Sequence, residues 1–462
     1  MVDINGLYQA FQSGWPAKMA VTNPAKIVGN DFVNGGVNIK QLAIYKPERT
    51  FDLMSQVTEI HIYESIVSPV IYCNMTIADA INLQEDFKIN EQSIVVVEFQ
   101  TPGAAYTNEQ FFRVNHIYDK RDVPGLTMKV YNVELVSIEA VAAQNVPPVG
   151  IGSLAGFKLN DTPGDLIKKI VKDFINTRPE VKSIRKSARK EQRLDIDSGS
   201  GIVAKNALQT SALPSNRKPF EVIHQLANIA NISPEGDSLY TFFERKDGYY
   251  FKPIEKLIRE KKKLFRDDKS DAIFFYDHLR NQNQTAVKFR NILAYNISSS
   301  DNLTEGRGNG VNSRAVIVNP QTGENSESAA APIDNNLGEL TSIQALRSFD
   351  EVTHFENITS TEYTHLKDVL VRRRQLLLRI SQYEAQILIY GDSNLSVGDI
   401  IECQFPRSIS TSRASSDAQG GSELSADSGY YLITHLRHMI LNTDRPQHII
   451  SCNLMRAEPV RN

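Results

Sequence analysis

Cysteine is scarce in this 462-residue chain: Cys73, Cys403 and Cys452 stand singly. No C-x-x-C pair offers zinc or redox chemistry, and an odd count makes no disulfide framework. A reducing cytosol suits such thiols. The chain also lacks any run of 18 apolar residues that would span a bilayer. Its start, MVDINGLYQAFQSGW, carries an early Asp3 and no basic segment leading into an apolar one, so no secretory signal is expected. Excess charge of either sign is missing as well. With 51 basic and 54 acidic side chains the net charge is -3, and nothing global steers the protein to nucleic acid or an acidic membrane surface. Hydrolytic signatures are absent too: there is no G-x-S-x-G, no H-E-x-x-H and no cysteine beside a histidine motif. Carboxylate pairs stay open, because any two acids can meet in space.

What the chain does have is alternation. Its length suggests about three domains, each able to bury a core. After a polar lead over residues 1–48 come VTEIHIYES and PVIYCNMTI, the latter with Ile71, Cys73, Met75 and Ile77 on one face, a period of two that predicts strands. SIVVVEFQTP, FFRVNHIYDKRD and LTMKVYNVELVS continue the pattern between turns at Thr101 to Gly103 and Pro124 to Gly125. Residues 49–145 therefore read as an antiparallel barrel or sandwich. The run NVPPVGIGS, with Pro147, Pro148, Gly150 and Gly152, marks a boundary.

A mixed α and β unit is expected over 156–270. In DTPGDLIKKIVKDFI, Thr162 is placed to cap, Pro163 suits the first helical position and Asp165 completes a capping box. Leu166, Ile167, Ile170, Val171, Phe174 and Ile175 form one apolar stripe. A second helix is predicted from Pro219, burying Phe220, Ile223, Leu226, Ala227 and Ala230. LYTFFERKDGYYFKPI then reads as a hairpin turning at Asp247-Gly248. Strands return over 271–300 and 383–459. Between them, residues 301–382 form an inserted segment with a long helix predicted over 360–381, including Arg372 to Arg374. The strands of YEAQILIYGDSNLSVGDIIECQFP are joined across Gly391 to Gly398. Residues 408–428 are dense in serine with no apolar periodicity, which predicts a mobile surface loop. YYLITHLRHMIL and QHIISCNLMRAEP close the chain as a hairpin turning at Asn442 to Pro446.

That hairpin contains His435-x-x-His438, a spacing that would chelate on a helix. On a strand, a separation of three sends the two rings to opposite faces. His448, across the hairpin, is the one nearby residue that can pair with either. Zinc needs three or four ligands at fixed spacing, so no metal is expected. EGRGNGVNS (305–313) lacks the strand, the Gly-Lys-Ser/Thr and the helix of a phosphate loop and is read as a flexible loop. DIDSGSG (195–201) lacks the bidentate Glu of a calcium loop and is read as a linker. The basic runs SIRKSARKEQR (183–193) and IREKKKLFRDDK (258–269) are interleaved with acids or serines and read as solvated surface. Catalytic, cofactor-binding and metal residues are accordingly expected to be none.

Several segments in order resemble one family. The helix VLVRRRQLLLRIS, then ILIYGDSNLSVGDIIECQFP, a polar loop and SGYYLITHLRHMI, together with KPFEVIHQLANIA and YTFFERKDGYYFKPIEKL in the middle, resemble the baseplate hub proteins of contractile-tailed bacteriophages. The similarity covers roughly residues 50–459 and is most specific in the G-D-S-x-L-x-V-G-D run of Gly391 to Asp399. It implies an α+β, mainly β fold with two tube-type antiparallel β-barrel domains, 49–145 and 271–300 with 383–459, and mixed α/β intervening domains. It also implies a homotrimer, a symmetry adaptor between the hexameric tail tube and the trimeric central spike. The implied partners are the spike, tail tube or tube-initiator proteins, baseplate wedge proteins and the tape-measure C-terminus. DNA would pass through the lumen without specific binding, in a virion tail baseplate assembled in the host cytoplasm. The same module occurs in secretion-system spikes and phage-derived bacteriocins. There a further domain and β-helix usually follow; here, with the last strand near Asn462, the spike is expected to be a separate chain. A baseplate cell-wall hydrolase is the alternative from another class, with no catalytic constellation to support it.

Overall fold

The computed structural model describes residues 35–146 apart from 47–48, 103–106 and 126, then 162–178, 181–182, 184, 193–197, 217–230, 239–267, 273–276 and 291–299. It also describes 313–318, 325–329, 351–352, 383–405, 424–425 and 427–459. Most of the polar lead, the glycine-rich segment 305–312, the helix expected over 360–381 and most of the serine-rich run lie outside them.

The first seven strands are β1 (Asn38–Lys46), β2 (Arg49–Asp52), β3 (Val57–Ser65), β4 (Tyr72–Asp79), β5 (Ile94–Gln100), β6 (Asn108–Asp122) and β7 (Lys129–Ser137). A single helical turn, α1 (Leu83–Asp86), separates β4 from β5, and α2 (Ile138–Asn145) follows β7. Alternation decides the core, as predicted: Cys73, Met75 and Ile77 of β4 are buried while Asn74 and Thr76 are not. The boundary expected at residue 48 falls too late. β1 pairs antiparallel with β5 from Asn38 to Tyr45, and only its centre, Leu42 to Ile44, is fully buried. Its polar ends hide the strand from periodicity.

The middle unit is built from α3 (Pro163–Ile170), continued as a π-helical turn over Val171–Asn176, β8 (Arg193–Ile196), α4 (Pro219–Ile229), β9 (Tyr240–Arg245), β10 (Gly248–Pro253) and α5 (Ile254–Asp267). The cap forms as predicted: Thr162 accepts from the Asp165 N–H at 3.2 Å and its hydroxyl donates to the Asp165 carboxylate at 2.7 Å. Ile223, Leu226 and Ala227 of α4 are buried against α3 and the β8–β10–β9 sheet. The linker reading of 195–201 is corrected at its start. β8 pairs parallel with β10, with Asp195 engaging Lys252 at 3.0 Å and Asp197 engaging Lys256 at 2.9 Å. These acids are structural partners of β10 and α5. The basic run from Ile258 is likewise part of a helix, whose Leu257 and Ile258 are buried.

The remaining strands are β11 (Ile273–Phe275), β12 (Ile292–Ser299), β13 (Ser313–Val318), β14 (Asn325–Ala329), β15 (Glu351–Val352), β16 (Tyr383–Tyr390), β17 (Ile400–Gln404), β18 (Gly429–Leu441) and β19 (Gln447–Pro459). β14–β13–β15 make a small sheet of their own, and a 13-stranded sheet runs β12-β16-β19-β18-β3-β4-β7-β6-β5-β1-β2, with β17 and β11 branching from β18. The two β units are thus one sheet, joined at β18. One edge of this strand pairs with β17 over Gly429–Leu432 and then with β3 over His435–Leu441. A register shift between Ile433 and His435 marks the changeover.

Both halves curl. Ahead of β1, Gly36 bridges Gln447, the Val37 N–H donates to the Pro446 carbonyl at 3.2 Å, and the His448 N–H donates to the Gly35 carbonyl at 2.6 Å. Hydrogen bonding therefore leads from β18 through β3, β4, β7, β6, β5 and β1 back to β19. In the second half the edge strands β11 and β12 do not pair with each other among the described residues. Tyr295 of β12 nevertheless meets Tyr276, just past β11, at 4.8 Å and Phe405 at 4.7 Å between ring centroids. Within the serine-rich run the described residues are anchored: the Ser425 N–H donates to the Phe405 carbonyl at 2.8 Å, and the Ser428 hydroxyl accepts from the Phe405 N–H at 2.9 Å. No helix among the described residues is long and apolar enough to cross a membrane.

The Asp247-Gly248 turn gives a direct test. Gly248 has φ +147°, and a Cβ there would lie 2.0 Å from the Arg193 carbonyl oxygen of β8. Gly248→Ala is expected to destabilise by on the order of 3 kcal/mol, seen as a lowered urea midpoint.

Candidate functional site: a buried polar junction

The two halves of the sheet and the middle unit meet at one place, and the residues there are polar. Their origin is local. The β9–β10 hairpin is aromatic on both faces, Phe242, Tyr249 and Phe251 packing against α3 and α4 and Phe243 and Tyr250 against the second half of the sheet. Between those aromatic runs sit four consecutive charges, Glu244-Arg245-Lys246-Asp247. A hairpin buried on both faces carries them inward to the contact.

Each charge has a different partner. The buried Glu244 carboxylate accepts from the Ile71 N–H at 3.2 Å and from the Ser137 hydroxyl at 2.7 Å, gripping the first half of the sheet. Arg245 pairs with Asp399 at 3.1 Å and lies 4.8 Å from the Tyr250 ring centroid. The Lys246 ammonium donates to the Asn394 carbonyl at 2.7 Å and to that of Ser393. Asp247 accepts from the Tyr250 hydroxyl at 2.6 Å. The loop they hold is Gly391 to Asp399, shaped by its own bonds: the Asn394 N–H donates to Asp392 at 2.8 Å and the Ser396 N–H to Asp399 at 3.0 Å.

Glu64 of β3 is wholly buried beneath this loop and accepts from the Val397 N–H at 3.3 Å. Burial pushes its carboxyl up to about 7, against the pull of Lys246 and Arg245. Lys246 is pushed down, again chiefly by burial. Both groups thus lean toward neutrality, which limits the cost of hiding charge.

The histidines complete the junction. His438 and His448 have no solvent exposure, and His438 Nδ1 lies 2.9 Å from His448 Nε2. His448 Nδ1 lies 3.3 Å from the Thr101 hydroxyl. Thr101 and Ser393 exchange two further bonds, at 3.3 and 3.1 Å. Phe99 sets its ring edge-on to both imidazoles, at 5.5 and 5.3 Å. Gly391 permits this closeness, since a Cβ there would fall 2.1 Å from the His448 ring. Desolvation holds His438 well below the ordinary imidazole range and His448 at about 3.

The strand reading of His435-x-x-His438 is correct: the segment is β18, His438 points into the core, and His435 lies half-buried on the other face beside the Thr434 hydroxyl at 3.1 Å. His448 is indeed the residue that reaches His438. Among the described residues, no group of three or more His, Cys, Asp or Glu side chains gathers as a metal site. Of the remaining sequence candidates, Asp195 and Asp197 engage Lys252 and Lys256 instead, and 183–193 and 305–313 lie almost wholly outside the described residues. Sequence reasoning passed over Glu64, Thr101 and the Glu244 to Asp247 charges. The last had a visible signal, a block of four charges inside an otherwise aromatic hairpin.

No family model matches the chain, and no curated protein matches it. Among solved structures it is similar to a tail protein from Neisseria meningitidis, 9% identical, with a TM-score of 0.49 over 92% of this chain and 100% of that one. It is also similar to a 43 kDa prophage tail protein from Shewanella oneidensis, 9% identical, TM-score 0.46, over 90% of this chain and 98% of that one. An Escherichia coli component of the type VI secretion system is 10% identical, TM-score 0.40, over 92% of this chain and 79% of that one.

Lys246→Met should cost about 3 kcal/mol, the upper end for leaving hydrogen-bonding groups unsatisfied, because the lost donor is charged and serves more than one carbonyl. It strands the loop carbonyls and removes the cation that draws most strongly on Glu64. Adding Glu64→Gln should recover part of that loss, so a double-mutant cycle by urea unfolding is expected to give a coupling well above 0.5 kcal/mol, the scatter of independent sites. Additive losses would show that the two charges do not interact.

Proposed function

We propose that this chain is a structural virion protein: the central baseplate hub that joins the hexameric tail tube to the trimeric central spike and forms part of the DNA conduit. The observation that carries this reading is the pair of curled sheet units built on one shared hairpin, β18–β19. We read each unit as a tube-type barrel. The first is supported by the Gly36–Gln447 bridge that returns its strand order to β19, the second by the aromatic seam of Tyr276 and Tyr295 between its edges.

Two such units per chain give six in a closed threefold ring, which is what a contact between sixfold and threefold partners requires. The segments that carry the family resemblance also meet in space, since Arg245 and Lys246 of the ERKDG turn hold the Gly391 to Asp399 loop. That contact accounts for why both motifs occur in one chain. A net charge of -3 suits a conduit that lets a polyanion pass, because phosphate affinity grows with the number of cations placed against the backbone. The role is structural rather than catalytic. Spike, tube, wedge and tape-measure proteins are its proposed partners, and the virion tail its proposed location.

The test is assembly. Three copies of 51.8 kDa make about 155 kDa, and multi-angle light scattering of the concentrated protein, alone and with its spike, should find that species or a complex containing it. A monomer under both conditions would remove the basis of the hub reading.

A further inference from the structure

The junction contains one feature that a merely cohesive contact does not need, a pair of buried imidazoles placed where the first half of the sheet closes. His448 is tied on every side to the closing elements. Its N–H donates to Gly35, its carbonyl accepts from the Gly391 N–H at 2.8 Å, and its ring meets Thr101 and Phe99. His438 touches it from β18, and His438 Nε2 has no hydrogen-bond partner among the described residues. The pair accommodates one proton between the facing nitrogens. A second puts N–H against N–H at 2.9 Å.

The charged groups around the pair do not help it ionise. Lys246, from the β9–β10 turn, acts on His438 with like charge once the ring is protonated. Glu64 on β3 is committed to Val397 and is itself pushed toward neutrality. Thr101 and Ser393 are neutral, and Arg245, Asp399 and Asp247 are paired among themselves.

We propose that the His438–His448 pair is a proton-sensitive fastener: mild acid opens the seam formed by Gly35–Val37, Phe99–Thr101 and Gly391–Ser393 against β19, ahead of the rest of the sheet. The inference goes beyond the hub reading and does not depend on it. In the closed seam both rings are neutral, with His448 at about 3; in the open seam each returns to about 6.5. Depressed values stabilise the closed form above about 6.5, and that stability is lost as pH falls from there toward about 3. Glu64 acts with the opposite sign. Its raised value, about 7, favours closure below its ordinary 4.5 and is lost as pH rises through 7. Any part of Glu64 that opens with the seam therefore flattens the acid response, and Glu64→Gln isolates it.

Hydrogen exchange followed by mass spectrometry, corrected for intrinsic rates, at pH 7.5 and 5.5 tests this. In Glu64→Gln, peptides covering residues 35–37, 99–101, 391–393 and 446–449 should open about a hundredfold more often at pH 5.5, about tenfold for each histidine. Those covering β3, β4 and β7 should keep their protection. With His448→Gln added, the response should fall to about tenfold, and with His438→Gln as well it should vanish. Equal protection of the seam at both pH values in Glu64→Gln, or acid opening that spreads equally to β3, β4 and β7, overturns the proposal. Wild type gives the same map with a shallower response, so if a variant fails to fold the place where acid opens the molecule still decides.

Discussion

Everything in the second half of this molecule depends on how β18 spends its one free edge. A strand has two rows of hydrogen-bonding groups, and β19 takes one of them along the whole hairpin. The other must serve both halves of the sheet. It serves them in succession, β17 first and β3 after the register shift. At the changeover the Gly398 N–H donates to the Ile433 carbonyl at 2.9 Å, the Ile433 N–H donates to Asp399, and the Ile66 N–H donates to the Thr434 carbonyl. No backbone group of Ile433 or Thr434 named there is left without a partner, as a buried strand demands. The same succession divides the side chains: Leu432, Ile433 and Leu436 enter the core of the second half and Ile440 that of the first.

The middle unit is a wedge against this arrangement rather than a bystander. Its β9–β10 hairpin is mostly buried on both faces, so it lacks the polar alternation of an ordinary antiparallel pair, and apart from Lys252 its charges cluster at and beside the turn. That placement is economical in physical terms. Three adjacent residues, Glu244 to Lys246, reach three separate partners, Ile71 and Ser137 in the first half and the Gly391 to Asp399 loop in the second. A hairpin docked by apolar contact alone could slide; one keyed by a carboxylate to one half and cations to the other has a single seating. The desolvation cost is lowered by the upward push on the Glu64 carboxyl and by hydrogen bonds to backbone carbonyls from Lys246.

This division between local and distant determinants also explains what sequence alone made legible. β4, the Thr162 cap and the Asp247-Gly248 turn are each specified by neighbouring residues, and the terminal hairpin by two apolar runs on either side of one turn, so they were readable. β1 was not, because its buried centre is three residues long and its polar ends are tolerated only by pairing with β5. The start of 195–201 was read as linker because Asp195 and Asp197 look like solvent-exposed chain until Lys252 and Lys256 are placed beside them. The junction is the extreme case. Residues 64, 101, 246, 393, 438 and 448 converge through strand pairings that no periodicity encodes, although the opposite faces of His435 and His438 followed from strand geometry alone.

The other face of the sheet shows the same economy of charge in a different setting. Arg437 of β18 lies 5.2 Å from the Tyr63 ring centroid and 3.4 Å from His61, which in turn lies 3.4 Å from Glu59. Further along, Asn74 donates to Tyr118 at 2.6 Å and Thr76 to Asn132 at 2.9 Å, while Asn132 donates to Asp119 at 3.4 Å and Asn115 to Glu134. Arg437, Glu59, Asp119 and Glu134 on this face are each answered by a neighbour on the same or the next strand. Such a ladder stabilises cross-strand register and leaves Arg437 engaged. In the proposed hub a face of this kind, turned to the conduit, would meet a polyanion with polar groups already satisfied by one another, and weak affinity would follow from pairing rather than from a shortage of cations. The junction and this face thus follow one rule among the described residues: a charge is set against an opposite charge or a polar group, Arg245 against Asp399 in the one and Arg121 against Asp119 on the other.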